Sequence, residues 1–506
     1  MLGENLQVEP FTRFEELIRA ACGAAPDWRA PRQVTYLRSY LTGFPNAKAA
    51  TVVVETGHTD RHYLDEYTAY YATLLAPPAA KTTRLHVFAS GFDEDLFVQF
   101  IRNAATGKLD QTQRDLSEVY LGYITVRPIS SAPIGRTVVR HYGASEGRRY
   151  NPAIRGAKAR IAGVELSLDA LPFFQQDRGV GACATAALWS ALASAARSNG
   201  MRTPTPYAVT VAATKNLVTD RLLPATSGLE LSQLASAMRE HGLSPYTVKV
   251  GNEPDLFLWT LKTYLQSGVP AVLFLGGENE GHAVVVAGYK ETSDASLSLC
   301  LPGGGRDVRT SKLTRVYVHD DRIGPYVRMD LGTKTTGKGK DKWRHVTLRR
   351  ANADDPADEG LTHNMTVRYA LYPLYPKLRM TAPELVNLAA QISPIFRQLL
   401  GPKVAAKTRI QTWFTQNGDY LRNLYQLQPE PVRLSEFVTR LRLSRYVGIA
   451  RWYLDDKILA DVVCDTTDIN REHPRYGAVL GIFFMNAKHA VAGKQYQDMM
   501  RDTVFG

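Results

Sequence analysis

The chain has 506 residues, 44% hydrophobic and 22% charged, a balance that predicts a folded globular protein of two to four domains and excludes a disordered or fibrous one. Its four cysteines, Cys22, Cys183, Cys300 and Cys464, stand far apart with no C-x-x-C pair, which argues against a disulfide framework or a zinc site and for a reducing compartment. The formal charge of +12 is spread thinly; the densest basic run, Lys334–Arg344, is soon followed by the acidic stretch Ala353–Gly360, so a solvated loop of mixed sign is expected and not a nucleic-acid surface.

Residues 1–20 contain Glu4, Glu9, Glu15 and Glu16 and no apolar block, so no export signal is expected. The longest apolar runs, near Ala283–Gly288 and Gly477–Phe484, fall far short of the ~18 residues that span a bilayer. The expectation is a cytoplasmic protein without a membrane partner.

In chain order, the spacing predicts a helix over Phe11–Cys22 and strands at Ala50–Glu55, Arg84–Ala89 and Tyr120–Arg127, a mixed α/β N-terminal domain over residues 1–160. Tyr63, Tyr67, Tyr70 and Tyr71 recur at helical spacing and are read as core packing. The basic, polar segment Arg148–Lys158 reads as a crossing into a second domain, residues 161–361. There Ile161–Leu168 alternates like a strand, and a small-residue helix from Cys183 to about Arg197 stops at Asn199-Gly200. A capped amphipathic helix over Ser227–His241 follows, then the strand Tyr246–Val250, a helix over Asp255–Gln266 and the strand Val269–Leu275. A third α/β domain, 362–506, is expected to hold the strand Met365–Tyr372, a helix from Thr381 to Leu400 stopped by Gly401-Pro402, and a hairpin of Tyr446–Leu454 with Ile458–Cys464.

The chemistry concentrates in the second domain. Cys183 follows a glycine-containing loop and opens a helix, where unpaired N–H groups and a partial positive charge favour a sulfur anion. His282 opens the apolar strand Gly281–Tyr289 and supplies a base. On the next strand, Val316–Asp321, alternation puts Val316, Val318 and Asp320 on one face and Tyr317, His319 and Asp321 on the other. If the valines are buried, Asp320 points toward His282 and Asp321 away, which makes Asp320 the carboxylate that orients the ring. Gln175 or Gln176 can add a side-chain donor to the Cys183 backbone N–H in an oxyanion hole; this reading leaves both glutamines open.

These residues resemble those of the papain-like cysteine peptidases, most closely the bacterial branch that includes the peptidases cutting double-glycine leaders from bacteriocin precursors. The likeness covers roughly residues 165–330: a Gln ahead of a helix-opening Cys, the helix-then-strand approach Leu261–Leu275, the Gly-His-Ala-Val-Val-Val strand, and an Asp on the next strand. It implies an α+β fold in which a helix bearing the cysteine packs on an antiparallel sheet bearing the histidine and aspartate, flanked by mixed α/β domains. It further implies Cys183 as nucleophile, His282 as general base and acid, Asp320 as orienter and Gln176 in the oxyanion hole. The family's usual Gln-to-Cys interval of six lands on Asp177, so Gln176 takes the role with one extra loop residue.

The expected activity is cleavage of a peptide or isopeptide bond, with a protein or peptide substrate, no cofactor and no metal, and a regulatory protein partner as a possible restraint. The alternatives are an acyltransferase or transglutaminase, or a deamidase, using the same residues, and a catalytically silent scaffold. Cys22, Cys300 and Cys464 read as core residues. Two look-alikes are discounted. Gly143–Gly147 matches G-x-S-x-G around Ser145 without the strand–turn–helix context, and Gly332–Lys338 resembles a phosphate loop but has Gly339 where a Ser or Thr would meet magnesium.

Overall fold

The computed structural model describes residues 3–44, 47–143, 148–150, 154, 156–177, 183–198, 200–215, 228–251, 253–276, 281–300, 307–337, 343–350, 365–427, 431–440, 443–467 and 478–485. The loop before Cys183, the Ser145 motif, Asn199, Ser227, the middle of the basic run and the acidic stretch lie outside these residues, as does the side chain of Cys300. The fold is α+β, and its sheets are antiparallel.

In the N-terminal region β1 (Leu6–Pro10), β2 (Thr51–His58), β3 (Thr82–Phe88), β4 (Tyr120–Val126) and β5 (Ile134–Val139) form one sheet in that order. Strand alternation sends Val52 and Val54 into the core shared with the cysteine helix and Val53 into a core on the opposite face. A short strand, β6 (Arg148–Tyr150), leaves this region to pair with the central sheet. The single strand expected over Ile161–Leu168 is a hairpin of β7 (Ala157–Ile161) and β8 (Val164–Leu168). Its turn, Ala162-Gly163, takes positive φ at both exposed residues, and the buried-exposed alternation of each strand resumes beyond it one position out of phase. The hairpin packs with Val53, Phe88 and Tyr120 of the N-terminal sheet.

The central region contains β9 (Ser244–Lys249), β10 (Ala271–Gly276), β11 (Gly281–Cys300), β12 (Asp307–Asp320), β13 (Gly324–Thr336), β14 (Trp343–Arg350) and β15 (Met365–Leu374). Strands β10 to β15 pair in sequence order and β15 returns to pair with β10, so six strands close into a ring; β9 extends from β15, and β6 joins β11. Leu273, Val284, Val286, Val316 and Val318 share one core, while Val272, Ala283 and Val285, on the alternate positions, belong to the core of the cysteine helix. The helix Pro254–Gln266 is buried on nearly all sides, so it has no solvent stripe to keep polar.

A third sheet, β16 (Arg409–Gln416), β17 (Tyr446–Leu454), β18 (Lys457–Asp465) and β19 (Val479–Phe484), lies in that order. It is tied to the central helix by Trp259 Nε1 donating to Thr412 Oγ1 at 3.0 Å. The expected boundaries do not follow the sheets. Residue 160 falls inside β7, and 361 separates β14 from β15, which are neighbours in one sheet. Pairing between strands distant in sequence decides sheet membership, and local periodicity carries no record of it.

Candidate active site

His282 lies at the start of β11, opposite Leu275 of β10, and Asp320 ends β12. Direct pairing of β11 with β12 brings them together: His282 Nε2 and Asp320 Oδ1 are 2.9 Å apart, with both side chains buried. The same Oδ1 accepts from the Arg322 backbone N–H at 3.0 Å, which fixes the carboxylate as the chain turns. Burial works against charge on both groups. At Asp320 the charge and hydrogen bond of His282, with the Arg322 N–H, outweigh it and hold the carboxyl below its usual range. At His282 the Asp320 charge, the bond to it and an interaction with the Cys183 side chain outweigh burial and raise the imidazole to about 10. His282 Nδ1, buried, makes no hydrogen bond of ordinary geometry.

Asp321 corrects the expectation that it points away. Asp321 is buried, 3% exposed, and neither carboxylate oxygen has a hydrogen-bond partner. β12 ends at Asp320, and Asp321 lies in the turn that follows, where strand alternation no longer governs, so adjacent carboxylates both stay inside. Burial pushes the Asp321 carboxyl up to about 7, against the pull of His282 and with the push of Asp320. His282, Asp320 and Asp321 each bring a ligand atom within 4.8 Å of the others, the one group of metal-like spacing among the described residues. His319, between them in sequence, packs edge-on to Tyr326 at 4.7 Å, and burial drives its ring down to about 3, a neutral spacer.

Cys183 is the first residue of the helix Cys183–Ser198 and is half-buried, with its thiol free. From Ala184 to Ala196 the helix is buried throughout, and its many alanines let the backbone lie close to Ala283 and Val285 of β11. Cys22 and Cys464 are deeply buried, and burial raises both thiols, Cys464 to about 12, so they read as core residues. Gly332–Thr336 of the phosphate-loop look-alike lies in β13, paired with β14.

The segment before the cysteine is held by the N-terminal sheet. Phe173 exchanges backbone hydrogen bonds with Thr137 of β5 at 2.7 and 2.8 Å. Gln175 is bound at both ends: its N–H donates to Ile134 O at 3.0 Å, and its Oε1 accepts from Ile134 N at 3.2 Å. Gln176 differs, because its Oε1 is buried and has no partner. Fully buried Arg127 donates to Gln175 O at 2.9 Å, Asp177 Oδ2 at 3.0 Å and Glu66 Oε2 at 3.3 Å, and Tyr71 also donates to Asp177. Sequence reasoning missed Arg127, Glu66 and Gln33, whose Nε2 donates to Asp321 O at 2.8 Å. Single polar residues in strands and helices carry no signal of the distant loop they hold.

Compared with known proteins, the chain matches no family model and none of the curated proteins.

Proposed function

We propose that this protein is a cysteine hydrolase, a peptidase acting on peptide or isopeptide bonds, with Cys183 as nucleophile, His282 as acid and base, and Asp320 as the residue that orients His282. One observation carries the reading: His282 is held through Nε2 by a buried carboxylate, leaving Nδ1 without a hydrogen-bond partner while Cys183 interacts with the ring. An imidazolium facing a sulfur at a helix N-terminus is the arrangement in which a thiol gives up its proton.

In the reaction, the Cys183 sulfur attacks the scissile carbonyl carbon, forming a C–S bond and a tetrahedral oxyanion. The Cys183 backbone N–H and the Gln176 side-chain amide stabilise that oxyanion. His282 gives its proton to the leaving amine as the C–N bond breaks. It then removes a proton from water, whose oxygen attacks the thioester carbonyl and releases the acid and the sulfur. Asp320 keeps the ring oriented and balances its charge through both steps. The N-terminal sheet, by holding residues 173–177, sets where Gln176 stands.

The test is the alkylation rate of Cys183 against pH, resolved by peptide mass spectrometry, in the wild type and in His282→Ala. Rapid labelling that persists near pH 6 in the wild type and is lost in the variant is the expected result. Labelling that rises only toward the free-thiol value of ~8.5 in both proteins would overturn the reading.

A further inference from the structure

The candidate active site holds one carboxylate more than its histidine bonds. His282 Nε2 meets Asp320 Oδ1 at 2.9 Å, which leaves Asp321 over. Of the buried acids among the described residues, Asp321 is the one with both oxygens unpartnered, and neither oxygen bonds the Arg322 guanidinium beside it. Elsewhere Asp177 and Glu66 share Arg127, and Asp461 takes Arg451 at 2.6 and 2.7 Å. One ligand atom from each of His282, Asp320 and Asp321 lies within 4.8 Å of the others. The turn that carries both acids is held from two sides: Gln33, on the helix Arg32–Thr42, donates to the Asp321 carbonyl at 2.8 Å, and the Arg322 N–H donates to Asp320 Oδ1 at 3.0 Å.

A buried carboxylate without a hydrogen-bond donor is a costly state for that group. A proton cancels its charge and leaves both oxygens without a partner, whereas a divalent cation meets the whole cluster. Two carboxylates balance its two charges, and a neutral imidazole adds a nitrogen. One nitrogen with two carboxylate oxygens is a zinc-type donor set, while calcium and magnesium take shells of oxygen alone. Zinc bonds of about 2.0–2.2 Å set tetrahedral ligands about 3.4 Å apart, so the three atoms draw in by at most about 1.4 Å to close on an ion. Arg322, next in the turn, is part-exposed, which places solvent one residue from Asp321. A water can complete the coordination from that side.

We propose that His282, Asp320 and Asp321 form a binding site for one divalent ion of the zinc class, with His282 ligating through Nε2 in place of the proton it shares with Asp320. Gln33 and the Arg322 N–H then act as the outer contacts that orient the two carboxylates. Cys183 is not in the group, so the site needs no thiol and does not rest on the hydrolase reading. An ion on Nε2 breaks the His282–Asp320 hydrogen bond that the hydrolase reading uses. Metal binding and the thiol chemistry are therefore alternative states of one site.

The test treats the full chain with a chelator, titrates it with zinc by calorimetry, and repeats the titration on Asp321→Asn and Cys183→Ala; cobalt(II) absorption reports the ligand atoms. The expected result is one zinc ion per chain with micromolar or tighter affinity, weakened at least tenfold in Asp321→Asn and unchanged in Cys183→Ala. Cobalt should show d–d bands and no sulfur charge-transfer band. Asp320→Asn serves if circular dichroism shows Asp321→Asn misfolded. No saturable binding at micromolar zinc would overturn the site. So would undiminished binding by a folded aspartate variant, which is adventitious zinc only, or a loss in Cys183→Ala with a sulfur band, which puts the ion on the thiol. Alkylation of Cys183, which tests the hydrolase reading, is run without metal, so failure of one is distinct from failure of the other.

Discussion

Two buried clusters of acids and bases, one holding the segment before the cysteine and one holding His282, are built differently. In the first, Arg127 donates to Asp177, Glu66, Gln175 O and Ala132 O, Tyr71 completes Asp177, and none of these four side chains is left with a buried atom unpartnered. In the second, the His282–Asp320 bond is made, but His282 Nδ1 and both Asp321 oxygens stand without partners. Burial is comparable, so solvent does not explain the difference. A satisfied ionic cluster fixes geometry, here that of residues 173–177; a cluster left short of hydrogen bonds keeps groups available for proton transfer.

That comparison can be broken most sharply at Arg127. Arg127→Met leaves Asp177 and Glu66 buried without their cation and is expected to destabilise the protein by about 3–5 kcal/mol in urea unfolding. A loss under about 1 kcal/mol would mean that the cluster anchors nothing. On the other side, Asp320→Asn removes the charge that raises His282. Cys183 alkylation at pH 6 should slow about tenfold or more, with the fold retained by circular dichroism. An unchanged rate would detach Asp320 from the site.

Asp321 separates the clusters by sign. Its folded value, about 7, lies above the ordinary 3.8, so folding takes up a proton between those limits and stability falls as pH rises through that window. Asp321→Asn should remove the fall, stabilising the protein by up to ~4 kcal/mol at pH 8 and leaving it unchanged near pH 4, as thermal melts across pH would report. Destabilisation at pH 8 would show that the carboxylate has a partner. The smallest effects divide the two glutamines. Gln175→Ala, which breaks the bond to Ile134, should cost about 1 kcal/mol. Gln176→Ala should leave the melting temperature unchanged and slow turnover of a peptide substrate once one is found.

The sequence by itself determined the local elements and the order of chemical groups. The cysteine opens its helix, the histidine opens its strand, and the helices Pro254–Gln266 and Ala382–Leu400 with the β17–β18 hairpin stand within a residue or two of where periodicity and capping residues put them. These depend on near neighbours, which hydrophobic spacing, Thr381 capping and the Gly401 stop record directly. Only the tertiary structure decided the rest. Pairing of β11 with β12 brings His282 to 2.9 Å from a carboxylate 38 residues later, the turn after β12 keeps Asp321 inside, β15 joins the central sheet, and Arg127 reaches across to hold the segment before the cysteine. Each of these turns on pairing or contact between residues distant in the chain or on where a strand ends, and a periodicity of two is blind to both.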